Sequence, residues 1–140
     1  MSVNQKYAII QMEGITMSKL DGFKRVQLVV GSPYLTVSKY GISFNKSVLS
    51  QLEYPEYVLI LEKTQDKQLA IKVAGTEEEG VQKFSKSKQT LNVRWNNREY
   101  TKKLLHWGPN DYQAVGFKVP GEYLEEDNAM FFDFSRAEPI

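Results

Sequence analysis

The stretch Phe44-Asn45-Lys46-Ser47-Val48-Leu49-Ser50-Gln51-Leu52-Glu53-Tyr54-Pro55-Glu56-Tyr57-Val58-Leu59-Ile60-Leu61 decides how this chain reads. Asn45 is a good helix N-cap, because its side-chain oxygen can accept an orphan N–H of the first turn. Val48, Leu49 and Leu52 follow at helical spacing. Pro55 cannot continue a helix, which leaves about two turns. Tyr57–Leu61 is a continuous apolar run rich in β-formers, expected as a buried strand. Asp66-Lys67 sits in a turn, and Leu69–Val73 returns as the second strand of a hairpin. Upstream, Tyr34–Ser38 and Ile42–Phe44 read as two short strands joined tightly at Gly41.

The same order recurs. Leu91, Val93 and Trp95 alternate on one face of an expected strand. Asn96 followed three residues later by Glu99 resembles a capping box. Tyr100, Leu104 and Trp107 form a helical stripe widened by Leu105, and Gly108-Pro109 ends it. Tyr112–Val119 reads as a strand, Pro120-Gly121 and Glu125–Asn128 as a loop, and Ala129–Phe134 as the closing strand. Phe44-Asn45 aligns with Trp95-Asn96, Pro55 with Pro109 and Tyr57 with Tyr112, and the second copy has the longer hairpin loop. A unit of about 40 residues cannot bury enough surface to stand alone, whereas two packed together can. The alternative is a chance arrangement of common elements.

The expected organisation is a single domain, 1–140. It has an N-terminal β segment at 1–33, a first half-unit at 34–74, a linker at 75–90 and a second half-unit at 91–140. Within the N-terminal segment, 6–13 reads as a strand, Asp21-Gly22 as a turn and Arg25–Val30 as a weak alternation. In the linker, Val81 and Phe84 are expected to pack back as a small turn of helix. The fold class is α+β, mostly β: two strand–helix–strand–strand halves in a pseudo-symmetric barrel.

The 140 residues suit one domain, and 41% apolar with 25% charged side chains is close to the globular average. The N-terminus has no apolar core of the signal-peptide kind, and no apolar run approaches the roughly 18 residues a membrane span needs. The expectation is a cytoplasmic protein with no membrane association. Without cysteine there is no disulfide, thiolate nucleophile or cysteine zinc site. The net charge of +1 hides an asymmetry. Residues 73–109 carry 7 basic and 4 acidic side chains, and residues 110–140 carry 2 and 7. The basic stretch reads as a polyanion site, or as a partner that the acidic segment neutralises, or as a solvated face.

No catalytic constellation stands out. His106 is the single histidine, and its place in the last turn of a helix suits the helix dipole. The acidic runs Glu77–Glu79 and Glu125–Asp127 read as solvated loops and lack the ligand spacing of a calcium loop. Gly-rich phosphate cradles are absent. Most aromatics read as core. The neighbourhood of Arg94, Trp95, Arg98 and Tyr100 interleaves cations with rings, as nucleic-acid grips do. Plain strand alternation, with Trp95 inward and Arg94 outward, is the simpler explanation and the one preferred from sequence.

From Thr36-Val37-Ser38-Lys39-Tyr40-Gly41-Ile42-Ser43-Phe44-Asn45-Lys46 through Leu52, Tyr57–Ile60 and Leu69–Lys72, the chain resembles small proteins of Gram-positive bacteria and their phages. More distantly it resembles the AbrB/SpoVT-type swapped-hairpin domain. That family runs strand, turn, strand, short helix, hairpin, and usually forms DNA-binding homodimers. Asn45 stands here where the family commonly has proline, Ile42 follows Gly41 with no arginine, and Glu56-Tyr57 replaces glycine-aspartate. The resemblance implies one chain carrying both halves of a barrel, a pseudo-dimer. The expected function is a non-catalytic binding protein with DNA as first candidate partner and no cofactor or metal. Lys39, Lys46, Arg94, Arg98 and Lys102 are the candidate phosphate contacts. A structural or protein-interaction role of phage origin is the alternative.

Overall fold

Two hairpins carry the fold. Tyr57–Lys63 (β3) and Gln68–Val73 (β4) pair antiparallel, as do Phe117–Leu124 (β7) and Ala129–Asp133 (β8). Their β-branched and aromatic side chains fit a pleated, half-buried surface. The hairpins join edge to edge through β4 and β8, with Leu69 opposite Phe132 and Ile71 opposite Met130, all four buried. Tyr34–Ser38 (β1) extends the sheet from β7, Gly41–Phe44 (β2) pairs with β1, and Val93–Trp95 (β6) pairs with β2. Gln82–Lys83 (β5) pairs with β3 at the other end, and Glu138–Pro139 (β9) pairs with β7. Among the described residues all pairings are antiparallel, and the architecture is α+β, mostly β: one curled sheet with two helices. The computed structural model describes residues 18–24, 26 and 31–140. The expected strand at 6–13 and most of the alternation at 25–30 lie outside the described residues. The turn at Asp21-Gly22 is present, with Gly22 at φ +86°.

The helices follow their caps. Asn45 accepts from the Val48 N–H, and Lys46–Gln51 (α1) buries Val48 and Leu49. The same carboxamide accepts from Tyr34 N–H and donates to the Ser32 carbonyl, so the cap also anchors the start of β1. Arg98–Trp107 (α2) starts one residue later than the sequence implies. Asn97, not Asn96, is the cap, accepting from Tyr100 N–H at 2.8 Å. Adjacent asparagines are chemically equivalent as caps, so the choice falls to the direction in which β6 delivers the chain. Thr101, Leu104 and Trp107 are buried, while Tyr100 is half-buried.

Other expectations need correction. The second hairpin begins at Phe117, and Tyr112 lies in a 3₁₀ turn, Asn110–Tyr112. Gly108 lets the Phe117 ring pack against the end of α2, because a Cβ there would lie 2.3 Å from that ring. Pro120-Gly121 is not a loop. It is the point where β7 changes partner, from β1 through Pro120 to β8 from Gly121. Proline cannot donate to a ladder, and a Cβ on Gly121 would lie 2.9 Å from Met130 Sδ and Phe132 Cε1, so the pair suits a switch point here. The turn therefore shortens to four residues, 125–128, the same length as 64–67 in the first hairpin. Within 75–90, Phe84 packs into the core as expected, but the expected turn of helix is instead strand β5. Leu91 is 69% exposed and outside β6.

One hydrophobic cluster spans both hairpins and both helices. Phe44 packs edge-on against Trp95 at 4.9 Å and Phe84 at 5.3 Å. A second aromatic group joins Trp107, Phe134 and Phe117. Each fully buried ring contributes about 1.5–3 kcal/mol. In urea unfolding, Asn97→Ala is expected to cost about 1 kcal/mol and Asn96→Ala less than half of that. Equal losses would contradict the assigned cap.

Candidate nucleic-acid interface

The site is assembled from three elements. At the β1–β2 turn, Lys39 and Tyr40 are exposed, and Tyr40 N–H bonds to Ser38 Oγ. Gly41 has φ +130°, and a Cβ there would lie 2.7 Å from the Trp95 carbonyl oxygen. Only glycine lets the end of β6 come this close. Alternation along β6 then buries Val93, exposes Arg94 and leaves Trp95 half-buried. Arg94 reaches back to the turn, donating to the Tyr40 carbonyl at 3.5 Å. On α2, Arg98 and Lys102 stand at i, i+4 on one face.

Lys39, Tyr40, Arg98 and Lys102 line one shallow cleft of about 510 Å³, with Asn96 at its edge. Arg94 adjoins it through Tyr40. Four of the five expected cations are therefore brought together. Lys46 is not among them: it sits 5.3 Å over the Tyr54 ring at the start of α1. Among the described residues, the ion pairs are Lys63–Asp66 and Lys103–Glu62. None joins the basic stretch to the acidic C-terminal segment, so direct pairing does not neutralise it. Arg98 and Lys102 repel each other by a few tenths of a kcal/mol, and Arg98 stands at the end of α2 where the dipole disfavours a cation.

Beyond Asn96 lies a second cleft of about 600 Å³, walled by Ile60, Trp95 and Tyr100 and edged by Arg94, Glu99 and Lys103. Two of its lining residues, Tyr100 and Lys103, belong to a network that no sequence signal reveals. Tyr100 donates its hydroxyl to Glu62 Oε2, and Lys103 Nζ donates to Glu62 Oε1 at 2.7 Å. Thr64 donates to the same carboxylate. Glu62 stands on β3, far from α2 in sequence, and nothing in its neighbours marks it. Burial pushes the Glu62 carboxyl up, but the hydrogen bonds from Lys103, Tyr100 and Thr64 with the Lys103 charge outweigh it, and the group lies below its ordinary range. Burial, then the bond to Glu62 and its charge, push the Tyr100 phenol well above its usual range. Tyr100 is thus a fixed neutral donor.

His106 lies in the last turn of α2, its Nδ1–H donating to the Lys102 carbonyl at 2.8 Å. Among the described residues, no group of three or more histidine or carboxylate side chains is placed to hold a metal ion. Among the same residues, no helix is long and apolar enough to cross a membrane. Comparison with protein-family models, with curated proteins and with solved structures finds no match to this chain.

Because the folded-state pKa of Glu62 is depressed, its contribution is present above its ordinary value of 4.5 and is lost as pH falls through the folded value. The network is partly solvated, so the contribution is modest. Glu62→Gln is expected to cost about 0.5–1 kcal/mol at pH 7. Urea midpoints of the variant should lose less than the parent between pH 5 and pH 3.

Proposed function

We propose that this chain is a non-catalytic DNA-binding module, built as an AbrB-like pseudo-dimer in one polypeptide. The observation that carries the binding reading is the cluster of Lys39, Arg98 and Lys102 around one cleft, with Arg94 beside it and no carboxylate partner among the described residues. Exposed, mutually repelling cations are stabilised by an anion that bridges them. A polyphosphate backbone offers such charges in series, and counterion release adds the driving force.

The pseudo-dimer reading is supported by matched details of the two hairpins. Lys67 and Asn128 both adopt left-handed backbone, at φ +55° and +49°. Lys67 N–H bonds to the Thr64 carbonyl, and Asn128 N–H to the Glu125 carbonyl. Across the β4–β8 join, Val73 N–H bonds to the Asn128 carbonyl and Phe134 N–H to the Lys67 carbonyl. Each residue of one set is 61 positions from its counterpart in the other. The match covers the two hairpins, β3 with β7 and β4 with β8, while their outer neighbours differ, β5 following its hairpin in the chain and β1 preceding both. Such a chain needs no second copy to complete its sheet. Sedimentation as a 16.1 kDa monomer is the expected outcome, and an obligate dimer would count against this part of the reading.

The binding reading is tested with a fluorescent DNA oligonucleotide at low salt. Binding should weaken steeply as salt rises. Lys39→Gln, Arg98→Gln and Lys102→Gln should each reduce the slope of log K against log salt by about 0.7–0.9. Lys46→Gln should leave it unchanged. Absence of binding at low salt sinks the proposal.

A further inference from the structure

The partner's chemistry can be narrowed from the second cleft; this rests on the DNA-binding reading. We propose that the cleft walled by Trp95 and Tyr100 takes an unstacked base, so that the basic face recognises single-stranded rather than duplex nucleic acid.

Three observations carry this. First, the two clefts are neighbours: Asn96 lines both, and Arg94 lines the aromatic cleft while bonding to Tyr40 of the basic one. A strand lying along Lys39, Arg98 and Lys102 therefore passes the mouth of the aromatic cleft. Second, the two clefts differ in charge. Lys103 in the aromatic cleft is already paired with Glu62, and Glu99 adds a carboxylate to the lining. Phosphate belongs in the basic cleft, and an uncharged flat group belongs in the aromatic one. Its volume of about 600 Å³ falls in the range of small-molecule sites and exceeds the need of one base. Third, the Tyr100 ring is held before any ligand arrives, by its bond to Glu62 and by Lys103 lying 5.9 Å over the ring. A prearranged ring loses little entropy on stacking.

The duplex alternative fits this geometry less well. Reading a major groove requires a projecting helix or β-ribbon. Here Arg98 and Lys102 of α2 line a concavity instead of standing on a ridge. A charged groove beside an aromatic platform is the arrangement that suits a flexible strand with splayed bases.

The test uses the full chain and a mixed-sequence DNA of about 12 nucleotides, single-stranded and as its duplex, at low salt. Trp107 is buried against Phe134, so a Trp107→Phe variant reports Trp95 emission alone. The expected result is single-strand binding at least about tenfold tighter than duplex binding, with quenching of Trp95. Tyr100→Ala should weaken single-strand binding about tenfold or more and leave duplex binding unchanged. Trp95 packs on Phe44 and its replacement threatens the fold, so the quenching measurement, which leaves Trp95 in place, stands in for it. Duplex binding as tight as single-strand binding, or single-strand binding without quenching, overturns this inference and leaves the DNA-binding reading standing. No binding of either form overturns both.

Discussion

The pairing of β4 with β8 is the constraint on which the rest of the structure depends. Each hairpin alone is a two-stranded ribbon with two open edges, and such ribbons are marginal in water. Joining them places Leu69, Ile71, Met130 and Phe132 together in a closed core layer. Hydrogen bonds at both ends of the join, Val73 to Asn128 and Phe134 to Lys67, fix the register. A slip of one residue would turn all four apolar side chains to the other face. With that register set, β7 must curl to reach both β8 and β1, and Pro120-Gly121 is where it does so.

The two clefts follow from how the sheet ends. β1 pairs on both sides, with β2 and β7. Among the described residues, β5 pairs only with β3, and β6 only with β2. The facing sides of β5 and β6 thus have no ladder between them. The Trp95 indole spans part of the interval, donating to the Lys83 carbonyl at 3.3 Å, and the aromatic cleft lies alongside. The longer helix α2 overhangs this region and brings Tyr100 and Lys103 to Glu62 on β3. A gap in backbone pairing has become a lined concavity.

Local chemistry was legible wherever one residue type had one solution. Asn45 caps α1, Pro55 follows it, and the hairpin of β3 and β4 lies where the apolar runs place it. The basic character of α2 and the mixing of rings with cations near Arg94 were also visible. Reading failed where neighbours were chemically equivalent or a residue had two uses. Asn96 and Asn97 both suit a cap. Pro120-Gly121 suits a turn as well as a strand that switches partner. Leu91 looks like an inward position until the strand is found to start at Val93. The Glu62–Tyr100–Lys103 network was hidden, because its members lie on elements that meet only in the folded chain.

The sequence by itself determined which segments are strands and helices over most of the described residues, and which side chains are cations and rings. These follow from periodicity, capping and proline, all of which act over a few residues. Tertiary structure alone decided which edges pair, where β7 bends and which cations share a cleft. Those outcomes depend on contacts between residues far apart in the chain, such as Arg94 with Tyr40 and Tyr100 with Glu62. No local preference encodes them, and only burial of a common core selects them.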